Sequence, residues 1–155
     1  MNTQERIDKQ KALIEEIGMH FDKEGLQPIA GRILGLFIVM DKEQFTFEEI
    51  TEELHISKSS ASIALKNLEI MESIEYITLP GERRRYFRLK KQDSYSMLNG
   101  IRLKFTQMLK LFNMSIELKA DKNSGTSVYL KELTRYLEFA LSNLNEIEEK
   151  YLKTK

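Results

Sequence analysis

SKSSASIALKNLE, Ser57 to Glu69, puts four serines and a lysine at the front of a stretch that otherwise reads as a helix. Serine caps helices well but holds their interiors poorly, because its hydroxyl competes for nearby backbone groups. Helix stability therefore does not explain the choice. Ser57 is the expected N-cap. Projected at 100° per residue, Ala61, Ala64, Leu65 and Leu68 fall on one side of the helix. Ser59, Ser62, Ile63 and Lys66 fall on the other, so the inward face is apolar and the outward face mostly short, hydroxylated and basic.

A helix that enters the DNA major groove needs such a face, with short side chains that let its backbone approach and hydroxyls that reach bases or phosphates. The positive end of the helix dipole, near Lys58 and Ser59, favours a phosphate. The candidate DNA contacts are thus Ser57, Lys58, Ser59, Ser60, Ser62, Ile63 and Lys66. Ile63 fits either a thymine methyl or a neighbouring element, packing being the commoner role. A plain amphipathic surface helix is the competing reading.

The flanking segments decide between them. In FTFEEITEELH, Thr46 and Glu49 have capping-box spacing, and Ile50 and Leu54 supply an inward face. A short turn around His55 and Ile56 leads into the serine-rich helix, which makes a helix-turn-helix. Downstream, IEYITL and RYFRL enclose PGERR, a hairpin pattern with a Pro-Gly turn and Arg83, Arg84 and Arg85 at its tip or on its second strand. A helix-turn-helix followed by a basic hairpin is a winged helix, whose arginines suit phosphates and the narrow minor groove.

Upstream, Ile7, Ile14, Ile17 and Phe21 share one face of a helix predicted from about Thr3 to Lys23. GLQP breaks it, and Pro28 opens PIAGRILGLFIVM, which is apolar almost all round and so buried on several sides. Gly31 and Gly35 lie one turn apart there, and each costs about 1 kcal/mol relative to alanine. Close approach of another helix backbone explains that cost.

The stretches GLQPIAGRILGLFIVM, FTFEEITEELHISKSSASIALKNLE and ITLPGERRRYFRL together resemble the GbsR-like branch of the MarR family of transcriptional regulators, over roughly Gly25 to Leu89. The combination of PxAGRILG, LxISKxSxSxAL and PGER is more specific than a generic helix-turn-helix pattern. The resemblance implies a dimeric winged-helix repressor or activator, with the helix from Ser57 to Lys66 in the major groove and the wing from Arg83 to Arg85 on flanking DNA. It also implies a link to osmoprotectant genes, and for some members to choline, but no choline-site motif carries over residue by residue.

A dimer is expected independently. Leu98, Ile101, Phe105, Met108 and Phe112 repeat at alternating spacings of three and four. After DKNSGT, Leu130, Leu133, Leu137, Ala140, Leu144, Ile147 and Tyr151 do the same. Leu130, Leu133, Leu137, Leu144 and Ile147 are the candidate dimerisation residues, with an intramolecular bundle as the alternative. Tyr95, Phe105, Phe112 and Tyr136 are candidates to line a small-molecule effector site, although aromatics at helical spacing usually fill interiors.

The expected fold is mainly α, a winged helix-turn-helix with a two-stranded β-hairpin wing, flanked by N- and C-terminal dimerisation helices. Its segments are residues 1–24 (N-terminal helix), 25–92 (DNA-binding domain) and 93–155 (C-terminal dimerisation region).

Charge and composition agree. The 155-residue chain has a formal net charge of zero, but from Ser57 to Lys91 eight cations face four carboxylates, leaving that segment at +4 and the rest at −4. Local basic patches decide where a polyanion docks. With no cysteine and only His20 and His55, thiol catalysis, disulfides and a transition-metal centre have little basis. No glycine-rich nucleotide loop or paired nucleophile suggests an enzyme. No apolar run approaches the roughly 20 residues of a membrane span, so a cytoplasmic protein without membrane partner is expected. The partners expected are double-stranded DNA, a second copy of the chain and an effector of unknown identity, and no cofactor is called for. The leading function is a dimeric sequence-specific DNA-binding transcriptional regulator, a repressor in the first instance. The alternative is a winged-helix protein-interaction module without specific DNA binding.

Overall fold

Pro28 starts the helix around which the first half of the chain is built. Its fixed φ suits a first helical position, where a missing N–H has no intrahelical partner to lose. In the computed structural model, which describes residues 2–154 apart from the side chains of Ser94 and Tyr95, the chain divides into two compact units, residues 1–91 and 92–155.

The first unit runs α1 (Thr3–Lys23), α2 (Pro28–Val39), β1 (Phe45–Thr46), α3 (Phe47–Leu54), α4 (Lys58–Ile70), β2 (Ile74–Thr78) and β3 (Arg85–Leu89). Ala30, Ile33, Leu34, Leu36 and Phe37 of α2 are buried. Ile50 and Leu54 of α3, Ala64, Leu65 and Leu68 of α4, and Ile74 and Phe87 of the sheet close the same core. Each large apolar side chain among them contributes about 1.5–3 kcal/mol when fully buried. The close approach expected at the α2 glycines is that of α1. A Cβ on Gly35 would stand 2.9 Å from the carbonyl oxygen of Ile14, and one on Gly31 would stand 3.0 Å from that of Gly18.

The sheet has one strand more than the two expected. β1 pairs antiparallel with β3, Phe45 opposite Phe87 and Thr46 opposite Tyr86, giving the order β1-β3-β2. A strand of two residues is too short to show alternation. What holds it is burial, because Phe45 is almost fully enclosed and its ring stacks on Phe37 at 5.5 Å. The hairpin itself is as expected. Glu82 donates its amide to the Leu79 carbonyl at 3.0 Å, and Gly81 has φ 83°. Pro80 and Gly81 thus fill the two central positions of a type II turn.

The second unit is a pair of helices, α5 (Ser94–Leu118) and α6 (Gly125–Leu152). They run antiparallel, since Arg102 near the start of α5 reaches Asn145 and Glu148 near the end of α6. Ser124 caps α6, and the fully buried Ser127 hydroxyl donates to the Asp121 carbonyl at 2.7 Å. Of the seam residues, Leu137 is buried in a single copy of the chain, Leu130, Leu133 and Leu144 are half-buried, and Ile147 is exposed. Part of the heptad pattern is thus satisfied within one chain. A second apolar set is exposed, comprising Leu103, Leu111, Met114 and Leu118 on α5 and Tyr129, Tyr136 and Phe139 on α6. Among the described residues no helix is long and apolar enough to cross a membrane.

Candidate nucleic-acid interface

The turn between α3 and α4 is built from local signals. Thr46 accepts the Glu49 amide while the Glu49 carboxylate accepts the Thr46 amide, a reciprocal capping box at the start of α3. A hydrogen bond from Lys42, followed by the Thr46 amide, holds the Glu49 carboxyl below the usual carboxylate range. His55 caps the end of α3 with a left-handed φ of 51°, and the Ile56 amide returns to the Thr51 carbonyl at 3.1 Å. Ser57 then caps α4, its hydroxyl oxygen accepting the Ser60 amide.

The outward residues of α4 divide into two sets. Ser57 and Ser60 are taken up with each other, their hydroxyls 2.8 Å apart, and Ser60 is half-buried. They shape the helix start. Lys58, Ser59, Ser62, Ile63 and Lys66 are exposed. Ser62 and Lys66 line a groove of about 520 Å³ together with Arg84 and Arg85 of the hairpin and the carboxylates of Glu48 and Glu69. Ile63 does not join them. It faces a separate groove with Gln27, Pro28, Ile29 and Ser60, and it is 57% exposed there.

The structure also sorts the basic residues. At the base of the hairpin Arg88 pairs with Glu75 at 2.8 Å, Lys90 with Glu72 at 3.4 Å and Lys91 with Glu43 at 3.4 Å. Among the described residues, no ion pair involves Lys58, Lys66, Arg83 or Arg84. The guanidinium of Arg85, at the first position of β3, lies over the Tyr76 ring at 4.6 Å from its centroid. Next to it, the Tyr86 hydroxyl donates to Glu82 at 2.6 Å, which draws the one carboxylate of the wing tip toward the sheet. That bond raises the Tyr86 pKa.

The sequence did not reveal Tyr76 and Tyr86 as supports for the wing. The Tyr76 contact depends on the pairing register, which sets Arg85 opposite Thr78 and so beside Tyr76, whereas Tyr86 reaches Glu82 four residues back along the chain. A hairpin pattern with aromatic residues on both strands is the signal that would suggest it.

The fold is a winged helix. A crystal structure of a transcriptional regulator superposes on 94% of this chain and 99% of its own, with a TM-score of 0.68 and 25% identity. In sequence, the chain is 35% identical over 77 residues to the HTH-type transcriptional regulator MmpR5 of Mycobacterium tuberculosis. That match takes in 50% of this chain and 47% of the relative, about half the length of each. No family model matches the chain.

Proposed function

We propose that the chain is a dimeric, sequence-specific DNA-binding transcriptional regulator of the MarR type, with α4 in the major groove and the wing on the flanking backbone or minor groove. The observation that carries this reading is the sorting of charge. Cations at the base of the hairpin are neutralised by carboxylates of the same chain, whereas Lys58 and Lys66 on α4 and Arg83 and Arg84 on the wing have no ion pair among the described residues. Lys66 and Arg84 line one groove with Ser62 and suit a phosphate backbone, while Ser62 can reach a base edge. The transcriptional regulators found by fold and by sequence agree with this reading.

The PxAGRILG, LxISKxSxSxAL and PGER motifs support the GbsR-like branch as the finer assignment. Repression is the simpler mode, since a dimer seated on a promoter needs no further partner to obstruct it. The chain then divides into a DNA-binding segment over 25–92, with residues 1–24 and 93–155 serving dimerisation. The exposed apolar residues of α5 and α6 supply surface for a second copy. An effector belongs to the proposal without a site of its own. Phe105 and Phe112 are half-buried, Tyr136 is exposed, and the Tyr95 side chain lies outside the described residues. A regulator of this kind works in the cytoplasm.

A gel-shift series against the DNA upstream of the protein's own gene tests the reading. It predicts a discrete complex that survives excess unrelated duplex. Failure to bind any duplex, even at low salt, would leave Arg83 and Arg84 without a polyanion and favour the protein-interaction module.

A further inference from the structure

Gly18 sits in the interior of α1, where glycine costs about 1 kcal/mol relative to alanine. Its neighbour explains it. A Cβ at this position would lie 2.7 Å from Cγ of Arg32, so the aliphatic stem of Arg32 crosses α1 where α1 has no side chain. Beyond that crossing the guanidinium makes two connections. Nε and Nη2 donate to one carboxylate oxygen of Glu15 on α1 at 2.9 and 2.7 Å. Nη2 also donates to the carbonyl of Leu54 at 3.1 Å. Leu54 is buried and is the last residue of α3, so its carbonyl is one of those that a helix leaves without an internal donor. The neighbouring carbonyls of Thr51 and Glu52 receive the amides of Ile56 and His55. The helix-turn-helix is thus closed partly by its own backbone and partly by a side chain of α2 that α1 aims.

We propose that Arg32 is a positioning residue for DNA recognition, which holds the end of α3, and hence the start of α4, in register with α1. This rests on the DNA-binding reading of α4. Gly31 and Gly35 seat α1 against α2, and Arg32 extends that locked pair to the turn. α1 then serves as a strut for the recognition helix as well as a candidate dimerisation element, and a partner that shifts α1 acts on α4 through one guanidinium.

The test uses the full chain with Arg32→Lys, which keeps the charge but lacks the fork needed to span Glu15 and Leu54. Glu15→Gln, a milder change at a half-exposed side chain, guards against a simple folding failure. Hydrogen exchange at the His55 and Ile56 amides, which bond to Glu52 and Thr51, should quicken by about ten-fold, the order expected for one charge-assisted hydrogen bond, while α2 amides stay protected. Affinity for an upstream duplex should fall by a similar factor with the slope of log K against log salt unchanged, because every phosphate-binding cation stays in place. Glu15→Gln combined with Arg32→Lys should lose no more than Arg32→Lys alone. Wild-type exchange and affinity in Arg32→Lys would overturn the proposal and leave the DNA reading intact. Faster exchange spread evenly over residues 1–91 would overturn it too, as a purely structural role. A wild-type protein that binds no duplex would remove the DNA reading and the recognition role together, even if exchange at the turn still quickened.

Discussion

Arg83 and Arg84 stand on the wing without an ion pair among the described residues, and Arg85 is stacked on Tyr76. An arginine with no carboxylate to leave can engage a phosphate without breaking an existing bond, so these residues should act through charge. Replacing all three with alanine should weaken binding to many sequences alike and flatten log K against log salt by up to about 0.9 for each phosphate no longer neutralised. An unchanged slope in a salt titration would count against the wing. Ser62 makes the complementary case, since it is exposed, lines the same groove as Arg84 and makes no side-chain hydrogen bond among the described residues. Ser62→Glu should therefore abolish specific binding by repulsion while circular dichroism and melting stay as in wild type. Retained affinity in the folded variant would take α4 out of the groove. Capping residues at this scale were legible because their partners are three positions away, as Thr46 with Glu49 and Ser57 with Ser60. The Arg32 links span 17 and 22 positions, and nothing in the local sequence announces them.

At the scale of elements, the capping box and the glycine crossing should govern stability. Thr46→Ala removes the side-chain acceptor of α3 and should cost about 1 kcal/mol in chemical denaturation. Gly35→Ala gains helix propensity but presses a methyl against the Ile14 carbonyl oxygen, so it should destabilise by about 1–3 kcal/mol overall. A more stable Gly35→Ala protein would mean that α1 can give way. Glu49 sets a pH dependence. Its carboxyl titrates below the usual range in the folded protein, so its contribution is present above the unfolded glutamate pKa of about 4.3 and is lost as pH falls through the lower folded value. Glu49→Gln should flatten the acid limb of stability against pH in that window, and an unaltered limb would separate Lys42 and Thr46 from acid unfolding. Helices α1 to α4 were readable from spacing, caps and Pro28 because each carries its own periodic face. β1 was not, because two residues carry no period and Phe45 is held by partners at Phe37 and Phe87.

For the molecule as a whole, the helical seam was legible but its partner was not. A heptad repeat states that a face is apolar without saying which helix covers it, and in this chain Leu137 is buried without a second subunit. Leu137→Glu should therefore unfold the α5 and α6 pair as well as disrupt any dimer. Phe139, 67% exposed on α6, offers the cleaner probe. Phe139→Glu should keep its helicity yet shift sedimentation equilibrium from dimer toward monomer, whereas a wild-type monomer would contradict the dimer outright. Whether α4 reads DNA in paired half-sites can be asked directly, because the chain has no cysteine to interfere with a site-specific label. An iron chelate attached through Ile70→Cys, at the exposed end of α4 and outside the candidate contacts, would cleave DNA wherever that end of the helix lies. Recognition by paired α4 helices predicts cleavage in the major groove at two places about one helical turn, roughly 34–36 Å, apart. Cleavage spread evenly along the duplex, or none in a complex that still forms, would contradict it.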